Sequence, residues 1–208
     1  MSTLHIWGRM SSINVRKVVW TAQELGLEFQ RTEAGGKFGV VKTPEYIRLN
    51  PNSLIPVIED DSYVLWESNV VVRYLCAKHS LGTLYPEELQ QRFDAERWMD
   101  WQQTAFNPAG LGAFWQLIRT APEARDQALI EKSIAAVEPL LQSLEAHLAG
   151  RSYMTGEQFT MADIPIACEV HRWFGLPQPR KAWPNIERWF DSIWNRQTTK
   201  GVLDQPLS

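Results

Sequence analysis

Strand-like patterns are confined to the first third of this chain, and that asymmetry limits the folds open to it. Leu4-His5-Ile6-Trp7 and Glu28 to Thr32 read as short strands. Ile55 to Glu59 and Tyr63 to Trp66 flank Asp60-Asp61-Ser62 as the arms of a hairpin. Between them Val15, Val18, Val19, Ala22 and Leu25 recur at helical spacing, with Gly26 as a stop. Thr43-Pro44-Glu45 is an N-cap followed by a first-turn proline, opening a short helix through Leu49. Ser68 to His79 repeats the helical pattern with Val71, Val72 and Leu75 on one side. The order β-α-β-α-β-β-α makes residues 1–80 one α/β module. The stretch 81–88 carries turn signals and reads as a linker. Residues 89–208 show only helical patterns. Helices are expected at roughly Glu87 to Asn107, at Pro122 to Ala149 closed by Gly150, and at Pro184 to Asn195. Another runs from the capping box Thr160-Met161-Ala162-Asp163 toward Trp173. The expected fold is an α/β N-terminal domain followed by an all-α C-terminal domain.

Charge and apolar patterning exclude several function classes. The net charge of −3 gives no basic face for a nucleic acid. The longest apolar runs are about five residues, such as Leu54 to Ile58, against the ~20 of a membrane span. The first thirty residues are interrupted by charges and hold no signal-peptide core. Cys76 and Cys168 are too far apart for a CxxC pair, and no spacing among the four histidines suits a metal. A cytoplasmic protein without a metal cofactor is expected.

Three segments together resemble the glutathione S-transferase family. Thr43-Pro44-Glu45-Tyr46 through Asn50-Pro51-Asn52-Ser53-Leu54-Ile55-Pro56-Val57 is similar to the segment that leads into that family's cis-proline. Leu65-Trp66-Glu67-Ser68-Asn69 through Arg73-Tyr74-Leu75 resembles its glutamate-serine helix start, and Thr160 to Asp163 its C-terminal capping box. Ser11-Ser12-Ile13-Asn14-Val15-Arg16-Lys17-Val18 looks most like the serine-type and certain bacterial classes. The resemblance implies a thioredoxin-like N-terminal domain, a helical C-terminal domain, a homodimer, and glutathione as co-substrate.

Glutathione must lose its thiol proton to attack an electrophile. Lowering a thiol pKa of ~8.5 by about two units takes ~2.7 kcal/mol. One charge-assisted hydrogen bond supplies ~1.5–3 kcal/mol, and a helix N-terminus adds ~0.3–1. The chemistry therefore needs a hydroxyl donor where the first helix begins. Ser12 is the first candidate, Asn14 a second donor and Ser11 the rival, although serines in that place are also ordinary caps. The start of the third helix suits the γ-glutamyl group, with Ser68 donating to its carboxylate and Glu67 pairing with its ammonium. The resemblance implies a cis bond at Pro56 that turns the Ile55 backbone toward the tripeptide. Lys37 is a candidate for the glycine carboxylate. Asp163 reads as a structural cap, and Asp100 as an exposed acid able to reach a partner's glutathione.

A small apolar or halogenated electrophile would sit between the domains. Candidate walls are Trp98, Trp101, Phe106, Phe114, Trp115 and Ile118, with His171 and Phe174 opposite, and Arg119 or Arg97 for an anionic substrate. The core competes for each of these aromatics. A glutathione-dependent peroxidase or reductase is the nearest alternative, although no cysteine lies in residues 8–20. A non-catalytic binding protein is the other.

Overall fold

The computed structural model describes residues 4–208. Its four strands are β1 (Leu4–Trp7), β2 (Phe29–Thr32), β3 (Val57–Asp60) and β4 (Tyr63–Trp66), in the order β2-β1-β3-β4. β1 is parallel to β2 and antiparallel to β3, which is antiparallel to β4. Side chains alternate across the sheet. Leu4, Ile6 and Ile58 enter the main core, while Val57 joins Ala34 and Tyr46 in a smaller core against Trp7 and Trp66. In the register Trp7 faces Val57, and Val57 faces Trp66. The chain segments just beyond that row, at Gly8, Pro56 and Glu67, therefore emerge at one end of the sheet. The hairpin begins at Val57 rather than at the expected Ile55, because Pro56 has no N–H to give to a ladder.

Helices α1 (Ile13–Glu24), α2 (Pro44–Leu49) and α3 (Ser68–His79) complete the α/β domain. α1 packs on α3 within its own domain and on α7 (Asp163–Phe174) of the other. That double contact buries every residue from Val15 to Ala22, including Arg16 and Lys17. A helix with one apolar face would leave such residues in water.

The helical domain holds α4 (Leu89–Trp101), α5 (Asn107–Phe114), α6 (Gln127–Leu148), α7 and α8 (Pro184–Trp194). The helix expected to end at Asn107 instead runs on to Arg119, through π turns at Gln102–Phe106 and Trp115–Arg119. Pro108 cannot donate to the carbonyl four residues back, and the widened turn lies directly before it. α6 starts five residues later than expected, where Asp126 accepts from the N–H groups of Ala128 (2.9 Å) and Leu129 (3.2 Å). Asp163 is the structural acid that its spacing implies. Its Oδ2 accepts from the Thr160 N–H at 2.8 Å, and its Oδ1 from the Met154 N–H and the Trp189 Nε1–H, both at 2.9 Å. Burial pushes this carboxyl up to about 6, against the pull of those hydrogen bonds.

Candidate functional site

β1 meets α1 in a tight passage. A Cβ on Gly8, at φ +147°, would lie 2.4 Å from Cγ2 of Val15, so only glycine lets the strand end this close to the helix. Ser12 is the N-cap of α1, yet its hydroxyl makes no cap bond, whereas the caps of α2, α4 and α6 (Thr43, Glu88 and Asp126) accept one, two and two. The Ser12 hydroxyl is thus free to donate elsewhere. Asn14 carries a buried side-chain oxygen without a hydrogen-bond partner. Leaving a buried amide group unpaired costs ~1–3 kcal/mol. Ser11, Ser12 and Asn14 all line one cleft, of about 260 Å³, between the start of α1 and helices α5 and α7.

At the same end of the sheet the Ile55–Pro56 bond is cis. Among the described residues neither the N–H nor the C=O of Ile55 pairs with another backbone group. Glu67 sits at φ +74°, an uncommon conformation for a residue with a Cβ, and it leaves its side chain exposed at the start of α3 beside buried Ser68. Lys37 is exposed on a 3₁₀ turn, Gly36–Phe38, in an adjoining hollow that shares Arg9, Ser11 and Arg119 with the cleft.

The far wall of the cleft comes from Asn107, Leu111, Phe114, Arg119, Cys168, His171 and Arg172. Phe114 lies between two guanidinium groups, 4.8 Å from that of Arg119 and 5.1 Å from that of Arg172. His171 stacks on Trp194, with centroids 6.1 Å apart. Burial, and then the Arg16 charge, push His171 down to about 4, so it is neutral at pH 7.

Residues 2–77 match the family model described as glutathione S-transferase, N-terminal domain, and residues 106–197 match the C-terminal domain of the same family. The chain is 36% identical to the Escherichia coli protein glutathione S-transferase GstB, over 98% of this chain and 99% of that one. It is 31% identical to glutathione S-transferase 3 of Zea mays, over 100% and 96% of the two chains. The crystal structure of a theta class glutathione S-transferase from Xanthomonas axonopodis pv. citri, with glutathione bound, superposes with a TM-score of 0.96 at 37% identity and full coverage of both chains. The chain belongs to the glutathione S-transferase family. Its N-terminal domain is the family's thioredoxin-like fold.

Within this transferase scaffold the structure separates the aromatic residues expected around an electrophile. Phe114 and His171 line the cleft, and Trp115 and Arg119 line the adjoining hollow. Trp98, Trp101 and Phe106 do not. Trp98 packs 4.3 Å from the His147 ring and edge-on to Trp101, which meets Phe106, itself fully buried. They face the seam between helices because the π turn at Gln102–Phe106 intervenes between α4 and the cleft-facing α5. Ile118 packs on the main core, and Phe174 lies under the Arg180 guanidinium at 4.0 Å. Asp100 pairs with Arg73 of its own chain, and Arg97 with Asp94.

Arg9, Arg16, Asn107, Leu111, Cys168 and Arg172 belong to the cleft without having been singled out from the sequence. One signal could have found part of this set. Arg16-Lys17 interrupts an apolar run, and both are buried where the domains meet. Lys17 donates to Asn69 Oδ1 (3.1 Å), Gln102 Oε1 (2.7 Å) and Gln103 Oε1 (3.2 Å). Gln102 in turn donates to Glu169 Oε2 at 2.8 Å, and Glu169 pairs with Arg172. Burial pushes Lys17 down to about 8, with Glu169 acting in the opposite sense. This chain of polar contacts ties α1, the first π turn and α7 together beneath the cleft. No group of three or more His, Cys, Asp or Glu placed to hold a metal occurs among the described residues.

Proposed function

We propose that this protein is a homodimeric glutathione transferase that joins the glutathione thiolate to a small electrophile in the interdomain cleft. Residues 1–80 carry the glutathione half and residues 89–208 the electrophile half, joined by 81–88. The observation that carries the reading is the uncommitted Ser12 hydroxyl at the N-terminus of α1, lining the cleft beside Asn14. Ser12 donates to the sulfur, Asn14 supports it, and the helix dipole favours the anion. Ser11 lines the mouth. The free backbone groups of Ile55, beside Pro56, take the cysteinyl main chain. Glu67 and Ser68 take the γ-glutamyl end, and Lys37 the glycine carboxylate. Phe114, Trp115, Arg119 and His171 face the second substrate.

Exposed Tyr63 and Val70 on the α/β domain, and Leu89 and Phe93 on α4, supply the apolar surface for the second subunit. Two buried free cysteines and a thiol substrate suit the reducing cytoplasm. A melting-temperature rise with millimolar glutathione tests the binding half of the reading, because a ligand at a hundredfold excess over Kd adds ~2.7 kcal/mol. Product formation with alkyl halides, nitroaromatics, isothiocyanates and hydroperoxides then tests the chemistry. No glutathione-dependent shift at any concentration removes the reading, and a sedimentation mass of one chain at micromolar concentration removes the dimer.

A further inference from the structure

The cleft gathers positive charge that the joining of glutathione to a neutral electrophile does not require. Arg9, Arg16, Arg119 and Arg172 all line it, and no Asp or Glu side chain does. Among the described residues Arg172 alone of the four has an Asp or Glu carboxylate at ion-pair distance, Glu169. The acid in the adjoining hollow, Glu33, is held by Arg31 at 2.7 Å. Arg16 gives its donors to the main-chain oxygens of Met10 at 2.8 Å and Pro206 at 2.7 Å and to Nδ1 of His171 at 3.5 Å, and Arg119 gives one to the oxygen of Ser208 at 2.9 Å. Among the described residues the Arg9 guanidinium has no hydrogen bond or ion pair.

Two of these groups are positioned for a ligand. The Arg119 guanidinium carbon stands over Phe114 and Trp115, at 4.8 and 5.0 Å, and these two contacts hold the group at the mouth of the cleft. Arg9 crosses Gly36, where a Cβ would stand 2.7 Å from its Nε, so the glycine leaves the room in which Arg9 reaches the cleft. Burial, followed by repulsion from Arg9 and Arg172, lowers the Arg119 pKa.

We propose that the second substrate is a small carboxylate-bearing electrophile, its anionic group held between Arg9 and Arg119 while its reactive carbon faces Ser12. The inference rests on the transferase reading above. The cleft, at about 260 Å³, lies just under the ~300–1,000 Å³ of pockets for drug-sized ligands and suits one ring or a short chain beside the sulfur. For a chloro-substituted acid the thiol proton first leaves to water. The thiolate pair then forms the C–S bond, and the C–Cl bond breaks with its pair departing on chloride, so nothing is oxidised or reduced. Paired guanidinium–carboxylate hydrogen bonds are geometrically specific, so a neutral amide of the same shape does not replace the acid.

The test uses the full chain with saturating S-methylglutathione, which fills the glutathione half without reacting. Calorimetry compares 3-nitrobenzoate with 3-nitrobenzamide. The acid should bind roughly tenfold or more tightly, as one charge-assisted pair implies. That preference should vanish in Arg9→Met and in Arg119→Met, return only in part in Arg119→Lys, and weaken with salt. Wild-type turnover of 4-chloro-3-nitrobenzoate should exceed that of its primary amide in kcat/KM by a similar factor. Equal affinities for acid and amide, or a preference that survives both methionine variants, overturn the proposal. A preference seen only without S-methylglutathione also overturns it, since the arginines would then serve the glycine carboxylate of glutathione. In each of those results S-methylglutathione still binds and the transferase reading stands. Absence of S-methylglutathione binding to the wild type sinks both.

Discussion

In the proposed site the glutathione half takes its groups from short segments, Ser11 to Asn14, Ile55-Pro56 and Glu67-Ser68, with Lys37 standing alone. The electrophile half draws Arg9, Phe114, Arg119, His171 and Arg172 from the first loop, α5, the second π turn and α7. The first half is local chemistry placed at one end of a sheet by strand register. The second exists only once two domains have docked, so its geometry depends on everything that sets their relation. Residues that bind a constant ligand can be carried by short rigid termini, whereas those that meet a variable ligand sit on long helices whose faces are set by packing.

Lys17 lies where the halves meet, so its loss should have the largest effect. Lys17→Ala strands three side-chain oxygens and opens a cavity, and should cost about 3 kcal/mol or more. Denaturant unfolding measures that cost, and both glutathione affinity and turnover should fall with it. The pH dependence gives a second reading. Lys17 titrates at about 8 when folded and at about 10.5 when unfolded. Between those values the unfolded chain binds more protons, so this group adds stability as pH rises from 8 toward 10. Wild type should therefore gain stability relative to Lys17→Met over that interval. A constant difference between the two melting curves would contradict the burial of a charge there.

Ser12→Ala should touch the glutathione half alone. Losing one charge-assisted bond of about 1.5–3 kcal/mol raises the bound thiol pKa by about 1–2, while Kd at low pH changes little. Thiolate absorbance titrated against pH reads this directly. Identical curves for wild type, Ser12→Ala, Ser11→Ala and Asn14→Ala would leave the anion to backbone N–H groups and the helix dipole. Glu67→Ala and Ser68→Ala should each weaken glutathione by roughly tenfold, about 1.4 kcal/mol, with KM for the electrophile unchanged. Equal losses for both substrates would erase the division into halves.

Trp98→Phe should do least. The Trp98 Nε1–H is buried without an acceptor, so removing it costs no hydrogen bond, and the ring lies away from the cleft. A stability change under about 1 kcal/mol and unaltered steady-state kinetics are expected. A changed substrate preference in this variant would return Trp98 to the electrophile wall.

The sequence was informative where structure follows from neighbours along the chain. Four short strands, the Thr43 cap, the Gly26 stop and the Thr160–Asp163 box each depend on a few adjacent residues, and the fold assembled from them is the one observed. That Ser12 and Asn14 stand where α1 begins was legible for the same reason. The aromatic wall was not. Trp98 and Trp101 have the spacing of a helix face, but which way that face turns relative to Phe114 depends on a π turn that no periodicity announces. Arg16 interrupts an apolar run, but Arg9 and Arg172 look like ordinary solvated charges until the two domains close. Burial by a distant element leaves no local trace.

The π turn at Gln102–Phe106 has a consequence for how the gene can change. Loss of one codon inside a regular helix rotates everything downstream by about 100° and breaks the core. Here the same loss meets a turn already one residue wider than an α-helix needs, so α4 and α5 can close the gap and keep their faces. What disappears is the bulge that brings Gln102 and Gln103 to Lys17. Chain length at this point, more than side-chain identity, is therefore the variable through which descendants of this protein can loosen the joint between domains while both cores survive.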